Sequence, residues 1–79
     1  MNRKEVYERL VEILKDIKDD VSVSEETALI GEGILDSLEL INYLTQIEET
    51  YNVSISLDQL SENKLGIIKN MIDYIAEKA

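Results

Sequence analysis

The chain has 79 residues, a formal net charge of -9, and no Cys, His or Pro. That composition excludes disulfides, a Cys/His zinc site, a Cys nucleophile and a Ser-His-Asp triad. It also argues against nucleic-acid and anionic-membrane binding, both of which need a basic patch. The distribution of charge is as informative as its sum. Between Lys18 and Lys64 there is no Lys or Arg, while Asp19, Asp20, Glu25, Glu26, Glu32, Asp36, Glu39, Glu48, Glu49, Asp58 and Glu62 fall in that stretch. A run of this kind either solubilises the surface or docks basic partners, where complementary charge raises encounter rates.

The length predicts one domain, residues 1–79, with a limited core. No apolar run is long enough to cross a bilayer, so no membrane insertion is expected. The residues after Met1 lack the apolar stretch of a signal peptide, and the expectation is a cytoplasmic monomer.

Hydrophobic spacing places the first helix at about Asn2 to Lys18, with Val6, Leu10, Ile13, Leu14 and Ile17 on one stripe. Asn2 and Glu5 have capping-box spacing, and Met1 with Val6 has that of a hydrophobic staple. A long loop follows, from about Asp19 to Leu35. Its apolar residues Val21, Val23, Leu29, Ile30 and Ile34 are expected to plug the open side of the core, and Gly31 and Gly33 to permit sharp turns.

The second helix is predicted from Asp36, as N-cap, to about Tyr51. Glu39 then falls at the third helical position and completes a capping box, with Leu35 and Leu40 as staple; Ser37 becomes the first helical residue. Ile41, Leu44, Ile47 and Tyr51 are expected to face inward. Val53, Ile55 and Leu57 alternate with polar residues and read as an extended connector dipping into the core. A short helical turn near Asp58 to Ser61 precedes a last helix, about Asn63 to Glu77, burying Ile68, Met71, Ile72 and Ile75. The expected fold is all-α: a small four-helix bundle, three long helices and one short, with a long first loop.

A hydroxyl at the first turn of a helix has a chemical use. A phosphate esterified there meets free backbone N–H groups and the positive end of the helix dipole. Asp36-Ser37-Leu38 alone is also an ordinary helix start. Its surroundings say more. Gly31-Glu-Gly-Ile-Leu-Asp-Ser-Leu-Glu-Leu-Ile41, followed by Gln46-Ile-Glu-Glu-Thr-Tyr-Asn-Val53, resembles the acyl carrier protein family, over nearly the whole chain. The resemblance implies that Ser37, flanked by Asp36 and Leu38, accepts 4'-phosphopantetheine covalently from coenzyme A through a phosphopantetheinyl transferase. It implies further that Glu39, Ile41, Glu48 and Glu49, with Asp36 and Leu38, dock on basic patches of acyl-loading and acyl-using enzymes. The chain would then be a carrier rather than an enzyme, holding a thioester on an arm that supplies the thiol this sequence lacks.

Fatty-acid, polyketide or related biosynthesis is one implied setting. An aminoacyl carrier loaded by an adenylating ligase is another, because the Ile34-Leu35 approach to the serine is similar to that of D-alanine carriers, although those tend to carry Phe after the serine, where this chain has Leu38. An unmodified helical interaction domain is the third reading. Leu44, Ile47, Ile68, Met71 and Ile72, with Ile41, would line an interior shelter for cargo or simply pack as core.

Overall fold

The computed structural model describes residues 2–78. Among these residues four helices follow one another: α1 (Arg3–Ile17), α2 (Ser37–Tyr51), α3 (Leu57–Glu62) and α4 (Ile68–Lys78). A radius of gyration of 11.2 Å brings them around one core. The backbone of α1 lies close against both α2 and α4, and is the central post of the bundle.

Each helix buries the stripe that its period dictates. From α1 come Val6, Leu10, Ile13 and Leu14; from α4 come Ile68, Met71, Ile72 and Ile75, as expected, together with most of Tyr74. Tyr74 donates its hydroxyl to the Ser54 carbonyl at 2.8 Å, so its polar end is satisfied at the edge of the core. Asn2 caps α1 by accepting from the Lys4 amide at 2.8 Å, one residue short of the Glu5 position that the sequence suggests. The Met1 staple lies outside the described residues.

The face that α2 buries differs from the expected one. Ile41 is 54% exposed, whereas Tyr43 is fully buried. Leu40, Tyr43, Leu44, Ile47 and Tyr51 make one continuous stripe at three- and four-residue steps, and Ile41 is about 100° away from Leu40 around the axis. The phenol makes Tyr43 look like a surface residue, which is why periodicity assigned its place to Ile41.

The long loop is a structured element. Leu29 is fully buried and Val21, Val23 and Ile34 pack partly against the core, but Ile30 is 49% exposed and does not plug it. The turn closes through Glu32 N–H to Ala28 O, Gly33 N–H to Ile30 O and Ile34 N–H to Leu29 O, at 2.9–3.0 Å. Gly33 sits at φ +69°, a conformation that costs a side-chain-bearing residue energy. Gly31 has no such φ.

The loop also starts α4. Leu29 N–H donates to Gly66 O, Ile68 N–H to Thr27 O and Lys69 N–H to Glu25 O, around a single antiparallel bridge between Ala28 and Ile67. Two of the first α4 amides are therefore satisfied by loop carbonyls, which replace the side-chain cap that a helix start ordinarily uses. Asn63, expected to open α4, instead ends α3 as its C-cap. Residues 63–66 are turns, Lys64 takes φ +51°, and α4 begins five residues later than the sequence suggests. A Cβ on Gly66 would stand 3.1 Å from the Ile30 Cδ1, so this close approach of loop and turn favours glycine.

The connector between α2 and α3 buries Ile55 and half-buries Val53 as read, but Leu57 is 68% exposed. Leu57 is the first residue of α3, held by a capping box between Ser56 and Gln59 that turns its side chain away from the core. The α3 helix is thus slightly longer than the predicted turn.

Candidate functional site

The site is built around the first turn of α2. Leu35 is buried and anchors the end of the loop, and Asp36 follows in an extended conformation (φ -84°, ψ -178°) as N-cap. The Glu39 amide donates to Asp36 Oδ1 at 2.8 Å, and the Asp36 amide donates to Glu39 Oε1 at 2.9 Å. Both carboxylates are thereby engaged in fixing the backbone. The Leu40 amide donates to the Asp36 carbonyl at 2.9 Å and begins the helical ladder.

Ser37 is consequently the first helical residue, with its side chain exposed. Among the described residues, the amides of Ser37 and Leu38 have no hydrogen-bond acceptor. An exposed hydroxyl thus stands beside two free backbone donors at the positive end of a fifteen-residue helix. These features fit a phosphodiester on the serine oxygen: the free amides offer hydrogen bonds to non-bridging phosphate oxygens, and the exposed position leaves an attached arm room to reach outward.

Among the described residues, a cation reaches this end of the molecule. Lys18, just past α1, donates from Nζ to the Ile34 carbonyl at 2.8 Å and lies 3.6 Å from Glu39 Oε1. The sequence reading gave it no role. Nothing in residues 15–21 signals a bond to a carbonyl sixteen positions on.

The remaining residues singled out by sequence separate into groups. Asp36, Leu38 and Glu39 lie beside Ser37 on one turn. Leu38 is 79% exposed, and Ile41, one turn further along α2, is exposed too, so the helix presents two apolar side chains to solvent next to the serine. Glu48 and Glu49 are near the other end of α2. Glu49 is exposed, whereas Glu48 is half-buried and accepts from the Ile55 amide at 2.8 Å, tying α2 to the connector. Leu44, Ile47, Ile68, Met71 and Ile72 all pack in the core, without Ile41. No group of His, Cys, Asp and Glu suited to a metal ion occurs among the described residues, and none of their helices is long and apolar enough to cross a membrane.

Comparison with known proteins agrees with this geometry. The chain matches the phosphopantetheine attachment site family over residues 4–75. A curated relative, the acyl carrier protein of Coprothermobacter proteolyticus, is 29% identical over 77 residues, covering 95% of this chain and 92% of that protein. No solved structure matches significantly. The chain belongs to the acyl carrier protein family, the carriers that bear a covalent phosphopantetheine group. It is a carrier protein whose partners include a phosphopantetheinyl transferase and acyl-handling enzymes.

Proposed function

We propose that this protein is an acyl carrier whose phosphopantetheine arm is attached to Ser37. The observation that carries the reading is the exposed Ser37 hydroxyl, first in its helix, beside two unpaired amides and held by an intact capping box. In loading, the Ser37 oxygen bonds to the pantetheine-bearing phosphorus of coenzyme A. The phosphorus–oxygen bond to the nucleotide breaks, and adenosine bisphosphate leaves with the electron pair. The serine proton passes to a base on the transferase, since this chain has no His and no buried carboxylate beside Ser37. The free amides of Ser37 and Leu38 would hold the phosphodiester oxygens. When bound, the arm supplies a thiol that forms thioesters.

The chain itself contributes attachment, orientation and docking rather than catalysis. Leu38 and Ile41 offer an apolar contact next to the serine, and Asp36, Glu39, Glu48 and Glu49 supply negative charge along the same helix. Such a face meets a basic partner quickly and releases it readily, as a carrier visiting several enzymes requires. Tethering raises the effective concentration of cargo at each of them.

The test is intact mass before and after incubation with coenzyme A and a broad-specificity phosphopantetheinyl transferase. A gain of one phosphopantetheine on wild type and none on Ser37→Ala is the expected result. A folded, unmodified wild type that gains nothing, or a Ser37→Ala variant that still gains it, overturns the assignment.

A further inference from the structure

We infer that Lys18 is a positioning residue for the loading of Ser37; the inference rests on the attachment reading given above. The Lys18 ammonium bridges two parts of the site. It donates to the carbonyl of Ile34, two residues before the Asp36 cap, and stands within ion-pair distance of Glu39 Oε1, the oxygen that also accepts the Asp36 amide. Loop 34–36 and the first turn of α2 are therefore fastened from outside by one side chain that belongs to neither.

Lys18 is well placed to hold that geometry. As the C-cap of α1 it has its own amide bonded to Leu14 O at 2.8 Å, so its backbone is fixed to the central helix of the bundle. Ile34, by contrast, follows a turn of exposed residues, Ile30 to Gly33. Without Lys18, the Ile34 carbonyl loses its donor and Glu39 loses its counter-charge. The segment is then held by the buried Leu35, by the Ile34 and Leu35 amides on the Leu29 carbonyl, and by the box. The acceptor hydroxyl must meet phosphorus in line, and small displacements of a reacting group are costly: about 1 Å of misplacement can lower a rate roughly 100-fold.

The alternative role for a half-exposed lysine here is direct contact with a partner enzyme. The two roles affect different kinetic constants. Lys18→Met keeps the apolar stem, removes the donor and frees Glu39, leaving the docking helix more negative. Binding to a basic transferase then becomes no weaker, so KM for the carrier stays level or falls while kcat falls. A lost partner contact raises KM instead.

The experiment compares wild type, Lys18→Met, Lys18→Arg, Lys15→Met and Ser37→Ala in transferase loading, followed by intact mass over a range of carrier concentrations. Assays are run below the melting temperature of every variant, measured by circular dichroism. Lys15 is exposed on the same helix, so Lys15→Met controls for the loss of one charge. The expected result is a fall of about ten-fold in kcat for Lys18→Met without a rise in KM. Lys18→Arg, which retains charge and donors, should recover most of the rate, and Lys15→Met should match wild type.

Amide hydrogen exchange gives a readout independent of turnover. The Asp36 amide should exchange faster in Lys18→Met, while amides in the middle of α1 and α4 do not. An unchanged kcat, a raised KM as the only effect, or unaltered Asp36 exchange overturns the role of Lys18. If wild type itself gains no arm, the Ser37 assignment fails first, and exchange at Asp36 still decides whether Lys18 fastens the segment.

Discussion

The two ends of the chain and its middle are built on different principles. All eight cations lie in residues 3–18 and 64–78, the segments that carry α1 and α4, where acids and bases are mixed and Arg3 bonds both Asp73 and Glu25. The middle carries acids only, and it carries the serine. The outer segments supply most of the fully buried core, whereas the middle supplies exposed Ser37, Leu38, Ile41 and Leu57 along its capped helices. Stability is concentrated in one region and presentation in the other. On the proposed reading a carrier gains from that division, because a docking surface in the middle could stay charged and open while a packed post of α1 and α4 holds its shape.

The sharpest way to break the comparison is to reverse which property is lost. Ile72→Ala, in the fully buried stripe of α4, should cost about 2–5 kcal/mol in denaturant unfolding. Molecules that remain folded should still be loaded. Ser37→Ala should do the opposite, abolishing loading with a melting temperature close to wild type. A stability loss from Ser37→Ala as large as that from Ile72→Ala would merge the two regions.

Tyr43 lies where the regions meet. It belongs to α2, yet it is fully buried and its hydroxyl has no hydrogen-bond partner among the described residues. Burial pushes the phenol well above its ordinary range. In the unfolded chain it ionises near pH 10, while in the folded protein it stays protonated. Its contribution to stability is therefore fully present below about pH 10 and is lost as pH rises above that, at about 1.4 kcal/mol per pH unit. Tyr51, raised chiefly by burial and opposed by Arg9, acts in the same direction. Unfolding followed from pH 8 to 11.5 should steepen above pH 10, and Tyr43→Phe should remove much of that dependence. At pH 7 the same variant should be as stable as wild type or more so, since it removes an unpaired buried hydroxyl. An unaltered alkaline slope would show that Tyr43 is reached by water or finds a partner.

The smallest effect concerns the acidic middle itself. Carboxylates without interspersed bases repel one another, and salt screens them. The melting temperature should rise by a few degrees from low to moderate salt, where about 1 kcal/mol moves a domain of this size by about 4–8 °C. Neutralising Glu49, exposed and in no ion pair among the described residues, should reduce the salt effect more than neutralising Asp73, which is already paired with Arg3. Equal reductions would mean that charge acts as a sum and not by region.

The sequence by itself determined whatever depends on near neighbours along the chain. The Asp36–Glu39 box spans three residues, so it was legible, and with it the position of Ser37. The apolar stripes of α1 and α4 were legible for the same reason, because a helical period is a local property. Only the tertiary structure decided the rest. The start of α4 is satisfied by carbonyls of a loop some forty residues earlier, and no cap residue marks it. The side of α2 that turns inward depends on what α1 presents, and it took Tyr43 in place of Ile41. Lys18 reaches the serine's turn only because the loop folds back beneath it. Bonds of this kind join groups whose separation in sequence carries no period, and they exist only once the core has brought the helices together.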